Sequence, residues 1–155
     1  QSQLQLAVAD ARAHGEKIVF TNGCFDIIHA GHVGYLREAK KQGDRLVAAI
    51  NDDLSVTRLK GKGRPINSIE RRMAVVSGLE SVDWVVSFSE DTPESLLMAI
   101  KPELLIKGGD YGIDQVVGSD FVNAYGGEVM VLSFLDDCST SAIVSKIQQD
   151  LTKNK

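Results

Sequence analysis

The segment that follows the first predicted strand carries the residues best suited to chemistry. Residues 21–32 read TNGCFDIIHAGH, so that His29 and His32 lie three positions apart around Gly31, where a helix is predicted to begin. The first turn of a helix presents free backbone N–H groups and the positive end of the helix dipole, which together favour phosphate. Imidazoles can donate hydrogen bonds to phosphate oxygens, and a glycine lets a large anion approach the backbone. The spacing therefore predicts an anion-binding loop.

Two other interpretations fit the same residues. The histidines can be ordinary residues of a helix start, with no ligand at all. Alternatively, Cys24, Asp26, His29 and His32 carry the sulfur, oxygen and nitrogen atoms that bind zinc in proteins. Spacing alone leaves the phosphate, structural and zinc interpretations open.

The string GCFDIIHAGH resembles the HxGH signature of the nucleotidyltransferase superfamily, the cytidylyltransferase-like enzymes. Further segments resemble later elements of that family and follow in the same order. They are Lys60-Gly61, Glu70-Arg71-Arg72 with Val82-Asp83, Lys107-Gly108-Gly109-Asp110, and Ser139-Thr140-Ser141. The resemblance covers residues 17–147 and argues against the zinc interpretation.

A narrower resemblance lies in TNGCFDIIHAGH, RLKGKGRPINSIERRMAV, EDTP, LLIKGGDY and GGEVMVLSF with CSTSAI. Together these strings are similar to the D-glycero-β-D-manno-heptose 1-phosphate adenylyltransferases of bacterial ADP-heptose synthesis. That resemblance implies the reaction of ATP with heptose 1-phosphate to give ADP-heptose and pyrophosphate. It also implies Mg²⁺, held mainly by triphosphate oxygens and water rather than by protein ligands.

The resemblance assigns a role to each matching position. His29, His32 and Lys60 are expected to be catalytic, and Arg72 to bind the β- and γ-phosphates. The loop Lys107–Asp110 is expected to pass close to the adenine and ribose, and the hydroxyls of residues 139–141 to meet phosphate at a second helix N-terminus. The full set expected to bind nucleotide is Asn22, Gly23, Cys24, Phe25, Asp26, Gly31, Arg72, Lys107, Gly108, Gly109, Asp110, Ser139, Thr140 and Ser141.

Three positions depart from the family pattern or have no single expected role. Residue 24 is Cys where many relatives carry Thr or Val, so its backbone is expected to matter more than its thiol, which is not predicted to be a nucleophile. Lys146 follows Ser145 where some relatives place an Arg, which leaves the basic contact from that helix unassigned. Asp26 has three candidate roles, namely orienting a histidine, binding the acceptor or helping to hold Mg²⁺.

The elements that must position these residues alternate between short β-rich runs and helical segments. Strands are predicted at 17–21, 45–51, 83–88, 104–107 and 128–134, with helices between them and a first helix over 3–14. Because no tight hairpin separates the strands, the pattern predicts an α/β fold with a Rossmann-like, doubly wound parallel sheet. The expected strand order is 3-2-1-4-5. In such sheets ligands bind at the carboxyl ends of the strands, where the motifs lie.

Local signals predict where individual helices begin and end. Asp52 or Asp53 is predicted to cap a short helix, and Asn67 to cap the next one in a capping box with Glu70. Thr92-Pro93 predicts an N-cap followed by proline at the first helical position. Gly43 is placed at the C′ position of the helix over 31–42, and a single helix is predicted over 114–125. The last helix is predicted to start at Ser139.

Composition limits the class of protein. The chain has 155 residues, 43% apolar and 25% charged, which predicts one globular domain over 1–155. Its longest apolar runs, Leu46–Ile50 and Leu96–Ile100, are far shorter than the about twenty residues of a membrane span. Cys24 and Cys138 are too few for a disulfide framework, so the chain is expected to be cytoplasmic and reduced. The net charge of −4 argues against general binding of nucleic acid.

Rival functions stay open beside the adenylyltransferase. The nearest is a cytidylyltransferase that acts on glycerol 3-phosphate or a related small phosphate, and another is a nucleotide-binding module without catalysis. A dinucleotide-dependent oxidoreductase is disfavoured because the G-x-G-x-x-G spacing is absent after the first strand. The chain begins with Gln1 rather than Met, which fits a module cut from a bifunctional chain with an N-terminal sugar kinase domain, and a trimmed stand-alone enzyme is the alternative. The family also favours a homodimer.

Overall fold

The computed structural model describes residues 2–110, 112–133 and 139–153. Within these ranges the helices are α1 Ser2–Ala13, α2 Ala30–Lys40, α3 Asp53–Lys60, α4 Ile69–Ser77, α5 Glu94–Ile100, α6 Ser119–Ala124 and α7 Thr140–Lys153. The strands are β1 Ile18–Gly23, β2 Arg45–Asn51, β3 Trp84–Phe88, β4 Leu104–Gly108 and β5 Glu128–Leu132. A short 3₁₀ helix, Ile113–Gln115, lies between β4 and α6.

All five strands pair in parallel in the order β3-β2-β1-β4-β5, which confirms the predicted fold and strand order. In β1, Ile18 lies opposite Arg45 and Gly23 lies opposite Ile50 of β2. The chain order reverses between β1 and β4, which are neighbours in the sheet. Parallel sheets open a crevice at the carboxyl ends of the strands at such a point, so the loops after β1 and β4 border the expected site.

Both faces of the sheet are covered by helices. On one face, Ile18 and Phe20 of β1 pack with residues of α1, α5 and α6. On the other face, Val19 packs with residues of α2 and α4. A strand buried on both sides needs apolar residues at consecutive positions, which is why β2 is buried from Leu46 through Asn51. The core thereby holds the strand ends rigidly beneath the loops.

The loop between β2 and α3 matches its prediction, whereas the one before α4 does not. Asp52 caps α3, since its carboxylate accepts a hydrogen bond from the Ser55 N–H at 2.8 Å. The N-cap of α4 is Ser68 rather than Asn67, and Ser68 makes no side-chain capping bond. The predicted capping box of Asn67 and Glu70 is therefore wrong. The Asn67 amide is instead directed at the loop after β1, as described below.

Two further predicted helix ends are wrong. The helix after β3 begins one residue late, with Pro93 as its N-cap in place of Thr92. Helix α2 ends at Lys40, so Gly43 lies beyond its cap. A side chain at Gly43 would put Cβ 2.6 Å from Val19 Cγ2 and 2.9 Å from the Lys17 carbonyl oxygen. Gly43 is required by this close approach to β1 rather than by a left-handed cap.

The single helix predicted over 114–125 is interrupted. The 3₁₀ helix and α6 are separated at Gly118, whose φ is +92°. A Cβ at this glycine would lie 2.5 Å from Leu97 Cδ1 of α5. The backbone therefore turns at Gly118, within the range where the sequence predicted one continuous helix.

The end of the chain is described in part. Strand β5 is described to Leu132, and the predicted residues Phe134 and Cys138 lie outside the described residues. Ser139 precedes α7 and accepts a hydrogen bond from the Ala142 N–H at 3.1 Å, in agreement with the predicted start. None of the helices in the described ranges combines the length and the apolar character that a membrane span requires.

Candidate functional site

The loop between β1 and α2 places two imidazoles in contact at the start of a helix. His29 is the N-cap of α2 and has an extended backbone, with φ −142° and ψ 174°. Its ring centroid lies 3.9 Å from that of His32, one turn into the helix. Phe25 has a φ of +47°, and its ring lies 5.6 Å from His32 and would meet a Cβ at Gly23 at 3.1 Å. The glycine thus makes room for the aromatic ring that supports His32.

Both imidazoles are held in their neutral form. Burial lowers the pKa of His29, and burial together with the charge of His29 lowers the pKa of His32 to about 4. The Nδ1 atoms of both rings are buried and lack a hydrogen-bond partner among the described residues. Buried polar atoms normally have partners, so the two Nδ1 atoms are an exception among the described residues.

Two helix N-termini face the same space. Gly31 is buried in the first turn of α2. The first turn of α7 carries Thr140, whose hydroxyl lies 3.4 Å from the Ile27 carbonyl oxygen of the loop after β1. Two helix dipoles directed at one cavity favour an anion there.

Asp26 anchors the basic loop over 61–68. Its side chain is 1% exposed and accepts hydrogen bonds from Arg64 Nε at 2.7 Å and from the N–H groups of Ile66 and Asn67 at 2.8–2.9 Å. The Asn67 amide in turn donates to the Asp26 carbonyl at 2.8 Å. Burial alone raises the pKa of Asp26, but the bonds from Asn67, Ile66 and Arg64 outweigh it and lower that pKa. Asp26 therefore joins two loops through its charge, a structural role that the sequence did not indicate, and the three roles considered from the sequence stay predictions.

Arg72 lies in the interior, where its side chain is 0% exposed. The guanidinium donates to the carbonyl oxygens of Cys24 and Asn51 at 2.7 Å and of Asn67 at 2.9 Å. It also pairs with the Asp53 carboxylate at 2.7 Å. The predicted contact of Arg72 with the β- and γ-phosphates does not fit this placement. The guanidinium instead joins the ends of β1 and β2 to α3 and to the loop before α4.

Lys60 and Arg64 bring positive charge to the site from the other side. Lys60 is the last residue of α3, is exposed, and forms no ion pair with the described part of the chain. Arg64 is 21% exposed and is held by Asp26. Lys60 is thus free to turn toward a ligand, as a residue that reaches a substrate phosphate should be.

Lys107 lies near the end of β4, beside β1. Its ammonium donates to the side-chain oxygen of Asn22 at 2.9 Å and to the Asn22 carbonyl oxygen at 3.2 Å. Burial lowers the pKa of Lys107 to about 8. Burial also raises the pKa of the neighbouring Cys24 thiol, so the thiol is protonated near neutral pH and is a poor nucleophile.

Two adjoining cavities open at the carboxyl ends of the strands. The first has a volume of about 260 Å³ and is lined by Asn22, Gly23, Cys24, Phe25, Asp26, His32, Tyr35, Lys60, Arg64, Lys107, Gly108, Thr140 and Ser141. The second has a volume of about 360 Å³ and is lined by Asn22, Gly23, Cys24, Asn51, Leu59, Lys60, Asp91, Thr92, Pro93, Lys107, Gln115, Val116 and Val117. The five residues common to both form what we call the shared wall: Asn22, Gly23, Cys24, Lys60 and Lys107.

Most residues predicted to bind nucleotide are brought together in the first cavity. His29, which is predicted to be catalytic, lines neither cavity. Gly31, Arg72, Gly109 and Asp110 do not line the first cavity, and Asp110 is exposed. Ser139 is exposed as well, with its hydroxyl used to cap α7. Of the loop over 107–110 that was predicted to contact the nucleotide, Lys107 and Gly108 are therefore the residues that line the first cavity.

Several lining residues were not predicted from the sequence. Tyr35 lies within α2, where its hydroxyl is 2.6 Å from the Thr21 hydroxyl and donates to the Ile106 carbonyl at 3.1 Å. Arg64 lies in the loop over 61–68 and was not among the residues expected to bind nucleotide. The second cavity, with Asn51, Asp91 and Gln115, was not predicted at all, because its residues come from separate segments of the chain. The signal in the sequence that could have indicated these residues is that polar side chains follow several of the strands.

The described residues around the cavities do not fit a dedicated magnesium site. In the ranges that the structure describes, no three His, Cys, Asp or Glu side chains gather into a group that could hold a metal ion. Asp26, which lines the first cavity, already accepts hydrogen bonds from three donors. Mg²⁺ therefore stays a prediction from the sequence.

Known proteins share this fold and these motifs. The bifunctional proteins HldE of Ectopseudomonas mendocina and Pseudomonas fluorescens are both 70% identical to this chain, over 146 and 147 residues. These matches cover 94% and 95% of this chain and 31% of each relative, so the chain spans under a third of the curated relatives it matches. Pantothenate synthetase from Thermus thermophilus shares the fold alone, with a TM-score of 0.53 at 16% identity over 83% of this chain and 60% of that one.

A second solved structure and a family model also match this chain. The lipopolysaccharide core biosynthesis protein from Thermoplasma volcanium has a TM-score of 0.65 and is 33% identical, over 78% of this chain and 98% of that chain. The family model described as Cytidylyltransferase-like matches residues 20–146, which include both histidines and the shared wall. On this match the chain belongs to the cytidylyltransferase-like family of nucleotidyltransferases.

Proposed function

We propose that this chain transfers the adenylyl group of ATP to D-glycero-β-D-manno-heptose 1-phosphate, forming ADP-heptose and pyrophosphate for lipopolysaccharide core synthesis. The observation that carries the proposal is the contacting pair His29 and His32 at the start of α2, with His32 lining the first cavity together with Lys60 and Lys107. The motifs over residues 17–147 support heptose 1-phosphate as acceptor, and the likeness to a lipopolysaccharide core biosynthesis protein supports a role in core synthesis.

The first cavity suits the triphosphate. Thr140 and Ser141 offer hydroxyls at the N-terminus of α7, and His32 lies at the N-terminus of α2. Neutral imidazoles can each donate one hydrogen bond to a phosphate oxygen. The second cavity suits the sugar, since Asn51, Thr92 and Gln115 carry groups that can bind hydroxyls.

The chemical step needs positioning rather than a protein nucleophile. An oxygen of the sugar phosphate attacks the α-phosphorus of ATP and forms the new O–P bond. The bond from that phosphorus to the oxygen bridging the α- and β-phosphates breaks, and pyrophosphate leaves with the electron pair. Two anions must be held together for this, so preorganised donors and cations supply most of the catalysis. The protonated Cys24 thiol fits a step that uses no covalent enzyme intermediate.

Lys60 is proposed to reach the reacting phosphates from the exposed end of α3. Arg72 is proposed to act through position alone, since its guanidinium fixes the Cys24 carbonyl beneath the shared wall. We also propose that the protein is cytoplasmic, that it forms a homodimer, and that a sugar kinase domain is linked to this one. The linked domain agrees with a match that covers only 31% of the length of HldE.

The test is pyrophosphate release by this chain with ATP or CTP and a panel of sugar 1-phosphates. We expect release with ATP and the heptose 1-phosphate, and little with CTP or with glycerol 3-phosphate. Release with CTP and glycerol 3-phosphate in place of that pair would overturn the proposal in favour of a cytidylyltransferase. Calorimetric binding of ATP without release for any acceptor would instead indicate a non-catalytic nucleotide-binding module.

A further inference from the structure

The two cavities meet at two cations. Of the five residues in the shared wall, Lys60 and Lys107 are the charged ones. Lys60 stands at the exposed end of α3, whereas Lys107 is half-buried near the end of β4. These two side chains therefore border both cavities.

Lys107 differs from the other lysines near the sheet in its partners. Lys17, Lys40 and Lys41 each pair with a carboxylate, of Glu128, Asp83 and Glu38 respectively. Across the described ranges, Lys107 forms no ion pair, and its ammonium is held by the two oxygens of Asn22. A partly buried charge without a counter-charge is costly unless a ligand supplies one. An anion is therefore the ligand that Lys107 favours.

The surroundings of Lys107 point to phosphate rather than to a nucleobase. The residues that share the first cavity with it include His32, Lys60 and Thr140, all of which are donors to anions. Lys107 also lines the second cavity, so in the arrangement proposed above it lies beside the acceptor as well as the nucleotide. The sequence suggested only that Lys107 lies close to the adenine and ribose, and that role does not require a residue that borders both cavities.

We propose, on the basis of the adenylyl transfer proposed above, that Lys107 is a catalytic cation that bridges the acceptor phosphate and the α-phosphate of ATP. Asn22 is the positioning residue that aims its ammonium at the junction of the cavities. Lys107 stays protonated throughout, because the acceptor oxygen is already anionic and the electron pair leaves with pyrophosphate. The cation reduces the repulsion between two anions that must come into contact, and it does so most strongly as charge redistributes in the transition state.

The experiment compares Lys107→Met with Lys41→Met, an exposed lysine whose partner is Glu38 on the same helix. For each variant, kcat, both KM values, the Kd for ATP and Tm are measured. We expect Lys107→Met to lower kcat roughly 10²-fold while the Kd for ATP changes less than about tenfold. Since the substitution removes a partly buried cation, Tm should stay or rise. Lys41→Met should match the wild type in every measurement.

A second variant tests the positioning role of Asn22. Asn22→Ala keeps the ammonium but removes its nearer acceptor, so we expect kcat to fall about tenfold, which is less than for Lys107→Met. Unchanged kcat in Lys107→Met, or a loss confined to the Kd for ATP, would overturn this inference and leave the adenylyl transfer standing. A wild-type chain that turns over none of the acceptors would overturn both.

Discussion

His29 and His32 are neutral side chains that we propose to contact a highly charged ligand. Each ring is buried enough that its pKa falls, and the neighbouring ring lowers that of His32 further. Neutral rings can stack at 3.9 Å without repulsion. Each then holds one N–H in a fixed direction, and fixed donors are worth more than mobile ones when charge develops in a transition state.

Removing either imidazole should therefore slow the reaction more than it weakens the fold. His29→Ala and His32→Ala are each expected to lower turnover by roughly 10²-fold or more, equivalent to about 2.7 kcal/mol at the transition state. Steady-state pyrophosphate release by the purified, folded variants measures this. His14→Ala is the matched control, because the third histidine lies exposed on the turn after α1. Near-normal turnover in both site variants would contradict their catalytic role.

The residue types predicted where these side chains lie in the fold better than they predicted what the side chains do there. The spacing of the two histidines around Gly31 placed both rings at a helix start, because that spacing is local. Arg72 and Asp26 carry the charges expected of ligand-binding groups, yet each is buried against protein partners that lie up to 48 residues away in the chain. Sequence does not show which partners a charged side chain will meet across the fold, so their roles could not be inferred from residue type.

At the scale of elements, the parallel sheet was predictable and its interruptions were not. Buried runs such as β2 and the helices between them determine the strand order through burial on both faces. The region over 112–124 carries a helical pattern, but the chain there must turn at Gly118 to pass over Leu97 of α5. A close approach between distant segments leaves no periodic signal in the sequence.

Gly118 should therefore tolerate substitution poorly. Gly118→Ala adds a Cβ that would lie 2.5 Å from Leu97 Cδ1, on a backbone with a φ of +92°. We expect a loss of about 2 to 4 kcal/mol in the free energy of unfolding from strain and overpacking together, measured by urea denaturation.

Gly112→Ala is the matched control for Gly118, six residues earlier. A Cβ at Gly112 meets nothing within 4 Å, and the φ of this glycine is −69°. Its stability should stay within about 0.5 kcal/mol of the wild type or rise slightly. Equal losses in the two variants would contradict a specific requirement for glycine at Gly118.

At the scale of the whole molecule, the net charge of −4 conceals an uneven distribution. Lys60, Arg64 and Lys107 lie together at the cavities, whereas Arg72 faces inward. Overall acidity therefore says little about the charge that a ligand meets. Arg72 contributes to the stability of the molecule instead, because its guanidinium holds segments that are distant in the chain.

Arg72→Met should destabilise the entire domain. The change leaves the carbonyl oxygens of Cys24, Asn51 and Asn67 without their donor and removes the partner of Asp53. We expect a loss of about 3 to 5 kcal/mol in the free energy of unfolding. Arg71→Met, at the exposed neighbouring position, should change it by less than about 0.5 kcal/mol. A stable Arg72→Met variant that loses only its affinity for ATP would restore the phosphate contact expected from the sequence.

The wall that the two cavities share has a consequence for inhibitor design. A single molecule that carries a triphosphate analogue at one end and a polyhydroxylated group at the other would occupy about 260 Å³ and about 360 Å³ of adjoining space at once. Joining the two halves means that the loss of translational and rotational freedom on binding is incurred once instead of twice. The linker would run past Asn22 and Gly23. Its length and charge would therefore determine how much of the gain in affinity from joining the two halves is realised.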